Sequence, residues 1–221
     1  MIKFDEELIE LKKMVSEMAT TVEDMIAKSI KSLKERNMIL AQEVINTDQQ
    51  VNKIEVDIDN QAIKMHGLYQ PEAMDLRIIT MIMKINNDLE RIGDHAVSIS
   101  KFALYLSEKP EIKPLIDIPR MAEFAIAMLR EAIESFMTKD PEKAVDVCKK
   151  DDEVDSLEPQ IVRELMTYIM SDPQILDRAF RLIFIARHLE RVADLATNIA
   201  EGAYYIATGE VLKHQHTSEM N

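Results

Sequence analysis

Two stretches decide the fold: Leu89-Glu90-Arg91-Ile92-Gly93-Asp94 and Leu189-Glu190-Arg191-Val192-Ala193-Asp194, at an offset of 100 residues. Around each, apolar residues recur at spacings of four and three. The first series is Ile85, Leu89, Ile92, Ala96, Ile99, Ala103 and Leu106; the second is Ile185, Leu189, Val192, Ala196, Ile199, Ala203 and Ile206. That period puts one stripe on one side of a helix and buries it against neighbouring helices. Further upstream the match continues at an offset of 103, pairing Ile30 with Ile133, Asp48 with Asp151, Val51 with Val154 and Glu55 with Glu158. The difference falls in a turn, where a deletion does least harm. The chain therefore reads as two copies of one three-helix unit.

Prolines and glycines punctuate the helices. Helix 1 is expected from Asp5 to Arg36 and helix 2 from Met38 to His66, ending near Gly67. Pro71 should open helix 3, which runs to about Glu108. Pro110, Pro114 and Pro119 form the strongest linker signal. Helix 4 follows, from Pro119 to Lys139. Asp140-Pro141 and Asp172-Pro173 each read as an N-cap with proline in the first turn, starting helices 5 and 6. Pro159 should kink or split helix 5. The fold class is all-α, two tandem antiparallel three-helix bundles of six long helices. The expected units are 1–109, 110–213 and a flexible tail, 214–221.

The 221 residues include only four glycines, and the formal net charge is −13. Such a surface disfavours nucleic acid and anionic lipid as partners, since both need basic patches. No apolar run approaches the ~20 residues that span a bilayer. The single cysteine, Cys148, excludes an internal disulfide and suits the cytoplasm, as does the absence of an apolar leader. Phosphate-cradling glycine loops, a nucleophile elbow and Cys-x-x-Cys are all missing from the sequence.

The chemistry-bearing residues are carboxylates. Glu90 and Asp94 share one helix face, nearly opposite the apolar stripe, continued by Ser98 and Lys101. The matching face of the second repeat holds Glu190, Asp194, Asn198 and Glu201. In helix 2, Asp48, Asn52, Glu55 and Asp59 recur on one side, and Asp151, Asp155 and Glu158 match them in helix 5. Like charges one turn apart destabilise a helix by a few tenths of a kcal/mol unless a cation sits between them. Oxygen donors of this kind suit hard or borderline cations, including iron. The metal-ligand candidates are Glu90, Asp94, Glu190, Asp194, Asn198, Glu201, Asp48, Asp151 and Asp155. If helices 2 and 3 are antiparallel neighbours, the acidic stripes form one cluster per bundle. The plainer alternative is a solvated face, which duplication would copy equally well. Arg91 and Arg191 are expected to make ion pairs to a neighbouring helix. His95 and His188 occur in one repeat each and stand outside the duplicated design.

Pro71-Glu72-Ala73-Met74-Asp75-Leu76-Arg77, followed by Asp88-Leu89-Glu90-Arg91-Ile92-Gly93-Asp94-His95-Ala96, resembles the PhoU family of bacterial phosphate-uptake regulators. The second repeat carries a degenerate version, Leu176-Asp177-Arg178 and His188 to Asp194. The resemblance implies paired three-helix bundles in the cytoplasm. It implies partnership with a phosphate ABC transporter and its sensor histidine kinase, with uptake and starvation signalling damped. It also implies, for some members, surface iron or other metal clusters, here at Glu90 and Asp94 and at Glu190 and Asp194. The expected assembly is a homodimer, without catalytic residues. The rival readings are a metal-dependent carboxylate enzyme, hydrolase or oxidase, and a purely structural bundle.

Overall fold

A computed structural model of the chain describes residues 2–212. They form six α-helices: α1 (Ile2–Glu35), α2 (Met38–Tyr69), α3 (Ala73–Ser107), α4 (Asp117–Thr138), α5 (Pro141–Ser171) and α6 (Leu176–Thr208). A single 3₁₀ turn, Pro173–Ile175, precedes α6. The tail expected over 214–221 lies outside the described residues. Among those residues no helix is long and apolar enough to cross a membrane.

The helix ends follow local chemistry. Asn37 Oδ1 accepts from the N–H groups of Ile39 and Leu40 at 3.1 and 3.2 Å and starts α2. Asp140 Oδ1 caps α5 in the same way, with Pro141 at the first helical position. Three boundary expectations need correction. Gly67 lies inside α2, which ends where Gln70 takes the left-handed conformation. Pro71 precedes α3 instead of opening it. Asp172-Pro173 starts the 3₁₀ turn, with α6 beginning at Leu176. Pro159 does not split α5; it is exposed, on the solvent side of an unbroken helix. Its missing N–H leaves the Asp155 carbonyl without its intrahelical donor.

The helices pack in two layers. α2, α3, α6 and α5 lie side by side in that order, with α1 behind α2 and α3 and α4 behind α5 and α6. α1 and α4 also touch, and Arg130 Nη2 reaches Glu23 Oε2 across them at 2.8 Å. Both apolar stripes identified above are buried along their whole length. α3 and α6 are the most enclosed helices because each is flanked on three sides. α3 meets α1, α2 and α6, and α6 meets α4, α5 and α3.

α3 and α6 run antiparallel. The register pairs Met81 with Gly202, His95 with His188, and Tyr105 with Asp177. Each end is clasped by an arginine over a tyrosine. The Arg77 guanidinium carbon lies 4.9 Å from the Tyr205 ring centre, and that of Arg181 lies 3.6 Å from the Tyr105 ring centre. Tyr105 and Tyr205 are repeat equivalents, so a pseudo-two-fold axis relates the halves and passes between the middles of α3 and α6.

Gly93 sits inside α3, where glycine weakens a helix. A methyl there would lie 3.4 Å from Val51 Cγ1 and 3.6 Å from Val22 Cγ1, ordinary packing distances. Its repeat equivalent is the fully buried Ala193. Gly93→Ala should therefore stabilise the protein by about 0.5–1 kcal/mol. At Gly202 a methyl would lie 2.4 Å from Met81 Sδ, so Gly202→Ala should gain less or lose stability. Urea midpoints of the two variants test this, and a lower midpoint for Gly93→Ala than for the parent chain would refute it.

Candidate functional site

The acidic stripes of α2 and α3 face each other, as do those of α5 and α6. In the first repeat, the charge of Asp94 bears on both Asp48 and Glu90, and Glu55 and Asp48 add to the repulsion at Glu90. Burial leads in raising both carboxyls above their ordinary range, and those neighbours raise them further. Asn52 Nδ2 donates to Asp48 Oδ2 at 3.3 Å, and Lys101 lies within electrostatic reach of Asp48, so this cluster is partly offset.

The second cluster is harsher. Burial, then Asp155, Asp194, Asp152 and Glu190, push Asp151 up to about 6. Asp155 and Glu190 are also raised, first by burial and then by Asp194. Asp151 Oδ1 is buried without a hydrogen-bond partner. Glu158 is held by Arg187 at 3.4 Å. Asn198 and Glu201 sit farther along α6, where they line the cleft between α3 and α6 with Lys84 and Asp88. Glu201 also raises Cys148, whose thiol burial chiefly pushes up to about 11, leaving it protonated and packed against the core.

Both clusters open on the side of the four-helix layer that α1 and α4 leave uncovered. Their donor chemistry fits a hard cation: four or five carboxylates in each, mutual repulsion awaiting neutralisation, and an orphaned oxygen on Asp151. Among the described residues no three such side chains yet converge on one point. A cation would have to draw them together by side-chain rotation.

Three features of the site depart from the expectations above. Asn86 is buried between α2 and α3, donating to Glu55 O at 2.9 Å and Asp59 Oδ1 at 3.0 Å. His95 and His188, treated as outside the duplicated design, meet at 3.1 Å between Nδ1 atoms. Each ring's pKa is lowered, burial leading in both, and His95 falls to about 4. Finally, neither signature arginine makes the expected ion pair to a neighbouring helix among the described residues. Arg91 Nη1 lies 3.9 Å from Asp88 Oδ1 on its own helix, and Arg191 has no ion pair.

Asp151 supplies a pH test. Unfolded, its carboxyl ionises at about 3.9; folded, at about 6. Folding takes up a proton between those values, so the ionised group costs stability above about pH 6 and nothing below about pH 4. Asp151→Asn should then gain about 1 kcal/mol at neutral pH, after allowance for solvent screening. The gain should vanish in acid. Denaturation of both proteins across that pH range checks the sign, and an Asn variant less stable at neutral pH would overturn it.

Comparison with known proteins agrees with this architecture. The PhoU domain model matches residues 15–103 and again 118–203. A phosphate-specific transport system accessory protein PhoU homolog of Aquifex aeolicus is 46% identical over 99% of this chain and 99% of its own. A second such homolog, from Thermotoga maritima, is 38% identical over 96% of this chain and 90% of its own. The crystal structure of PhoU from Pseudomonas aeruginosa superposes with a TM-score of 0.91 at 34% identity, covering 94% of this chain and 100% of that one. The phosphate transport system regulatory protein PhoU from Streptococcus pneumoniae gives 0.87 at 28% identity, covering 96% and 100%. With both repeats matched and relatives aligned along nearly its whole length, the chain belongs to the PhoU family.

Proposed function

We propose that this chain is a cytoplasmic, non-enzymatic regulator that damps phosphate uptake and phosphate-starvation signalling. It docks on a phosphate ABC transporter and on the partner sensor histidine kinase, and it works as a homodimer. The observation that carries this reading is the end-to-end similarity to proteins named as accessory to phosphate-specific transport systems. Exposed Val56 and Ile63 on α2, and Met166 and Met170 on α5, give the outer helices apolar surface for docking.

The two carboxylate clusters hold divalent or trivalent cations, iron among them. Glu90, Asp94 and Asp48 serve the first, and Glu190, Asp194, Asp151 and Asp155 the second. The facing of acidic stripes in both repeats supports this. A bound multivalent cation supplies positive charge on an otherwise acidic surface. Asp151, held up to about 6, keeps its raised proton affinity until a cation arrives, so loading near that pH releases its proton.

Calorimetric titration with Mn²⁺ and with ferric iron should show binding to the parent chain. The variant Glu90→Ala, Asp94→Ala, Glu190→Ala, Asp194→Ala should lose it. Undiminished binding in that variant removes the cluster reading. A pull-down from phosphate-replete cells should recover transporter and kinase components, and their absence counts against the regulatory role.

A further inference from the structure

The antiparallel register brings Arg91 and Arg191, the arginines of the two signatures, opposite each other at the centre of the α3–α6 seam. Arg91 lies midway between residues 77 and 105, and Arg191 midway between residues 177 and 205, the clasped ends of the two helices. The pseudo-two-fold axis therefore passes between them. Both charges also bear on one imidazole, that of His95, in keeping with that register.

Two cations at one level of an antiparallel seam repel each other unless anionic charge offsets them. Asp88 is a weak partner for Arg91 at 3.9 Å, and among the described residues Arg191 makes no ion pair. The imidazoles alongside are bonded to each other and offer no anion. Glu90 lies within electrostatic reach of Arg91, and Glu190 and Asp194 within reach of Arg191, yet none of these carboxylates forms an ion pair with either arginine among the described residues. The Arg91 side chain is 55% exposed, so solvent and ligand can reach it.

We propose that the Arg91–Arg191 pair is a binding site for a tetrahedral oxoanion of the phosphate type. A guanidinium fork matches two oxygens of one anion. A carboxylate has one such pair and satisfies one fork. A tetrahedral oxoanion has two pairs, related by its own two-fold axis, and satisfies two forks facing each other across the pseudo-dyad. The site stands on the arginines and does not require the carboxylate clusters to hold metal. The anion can be free phosphate or the phosphoryl group of a phosphorylated partner.

The test uses the full chain, stripped of metal by chelation, and titrates inorganic phosphate, phenyl phosphate and acetate. Phosphate should bind and acetate should not. Phenyl phosphate binding as well as phosphate assigns the site to phosphoryl groups; phosphate alone assigns it to the free ion. Arg91→Gln and Arg191→Gln should each weaken phosphate by about tenfold or more, and the double variant should abolish it. Arg91→Lys with Arg191→Lys keeps the charge but loses the forks and should bind weakly. Arg187→Gln removes an equal charge one turn away, where Arg187 serves Glu158, and should bind as the parent does. Thermal melts show that each variant is folded. The proposal is overturned if the folded double variant binds phosphate as the parent does. It is also overturned if phosphate binds only after Mn²⁺ is added and then equally well to both, since the anion would then sit on the metal.

Discussion

The antiparallel packing of α3 against α6 is the constraint on which the rest depends. These two helices bury their apolar stripes on three sides, and every other helix touches at least one of them. Burial at roughly 25 cal/mol per Å² makes such a pair the main source of cohesion between the halves. Once the pair is fixed, α1 and α4 can only close one side of the layer. The acidic grooves must then open on the other. The clusters, the arginine pair and the imidazole pair share one face because the core permits no other side.

That face carries deliberate electrostatic tension. Like charges on adjacent turns and across adjacent helices cost stability, and burial adds desolvation. The core can absorb this because each penalty is local while the apolar burial runs the length of each helix. A merely solubilising surface would gain nothing by gathering its carboxylates into two half-buried grooves. Dispersed charges solubilise equally well and repel less.

Much of this was legible in the sequence. The stripe from Ile85 to Leu106 and its copy from Ile185 to Ile206 fixed two buried helices, and the offsets fixed two units. The facing of Asp48 with Glu90 and Asp94 followed from antiparallel neighbours. What was hidden lay across the seam. Repeat equivalence pairs His95 with Leu195. A two-fold axis instead brings together positions running in opposite directions, and so pairs His95 with His188. The arginines escaped for the same reason. Their equivalence was plain, but their meeting needed the crossing register. Asn86 was invisible differently: one of two adjacent asparagines in a polar stretch carries no signal of burial until its partners on α2 are placed.

Duplication produced two clusters, yet not two equal ones. Asp48 is eased by Asn52 and lies within reach of Lys101, while no cation is among the influences on Asp151, which stays protonated up to about 6. Pro159 adds a second difference, since it frees the Asp155 carbonyl as a further oxygen donor beside the second cluster and has no counterpart in α2, where Val56 stands. A site with more uncompensated charge and one more oxygen donor releases more repulsion when a cation enters. If the clusters hold cations as proposed, the second repeat should fill first, and the first only at higher concentration. Titrating Glu90→Ala with Asp94→Ala against Glu190→Ala with Asp194→Ala separates the two steps: the tighter one should survive the first pair of substitutions and disappear with the second. Equal affinities in the two variants would mean that Lys101 and Pro159 do not set the order.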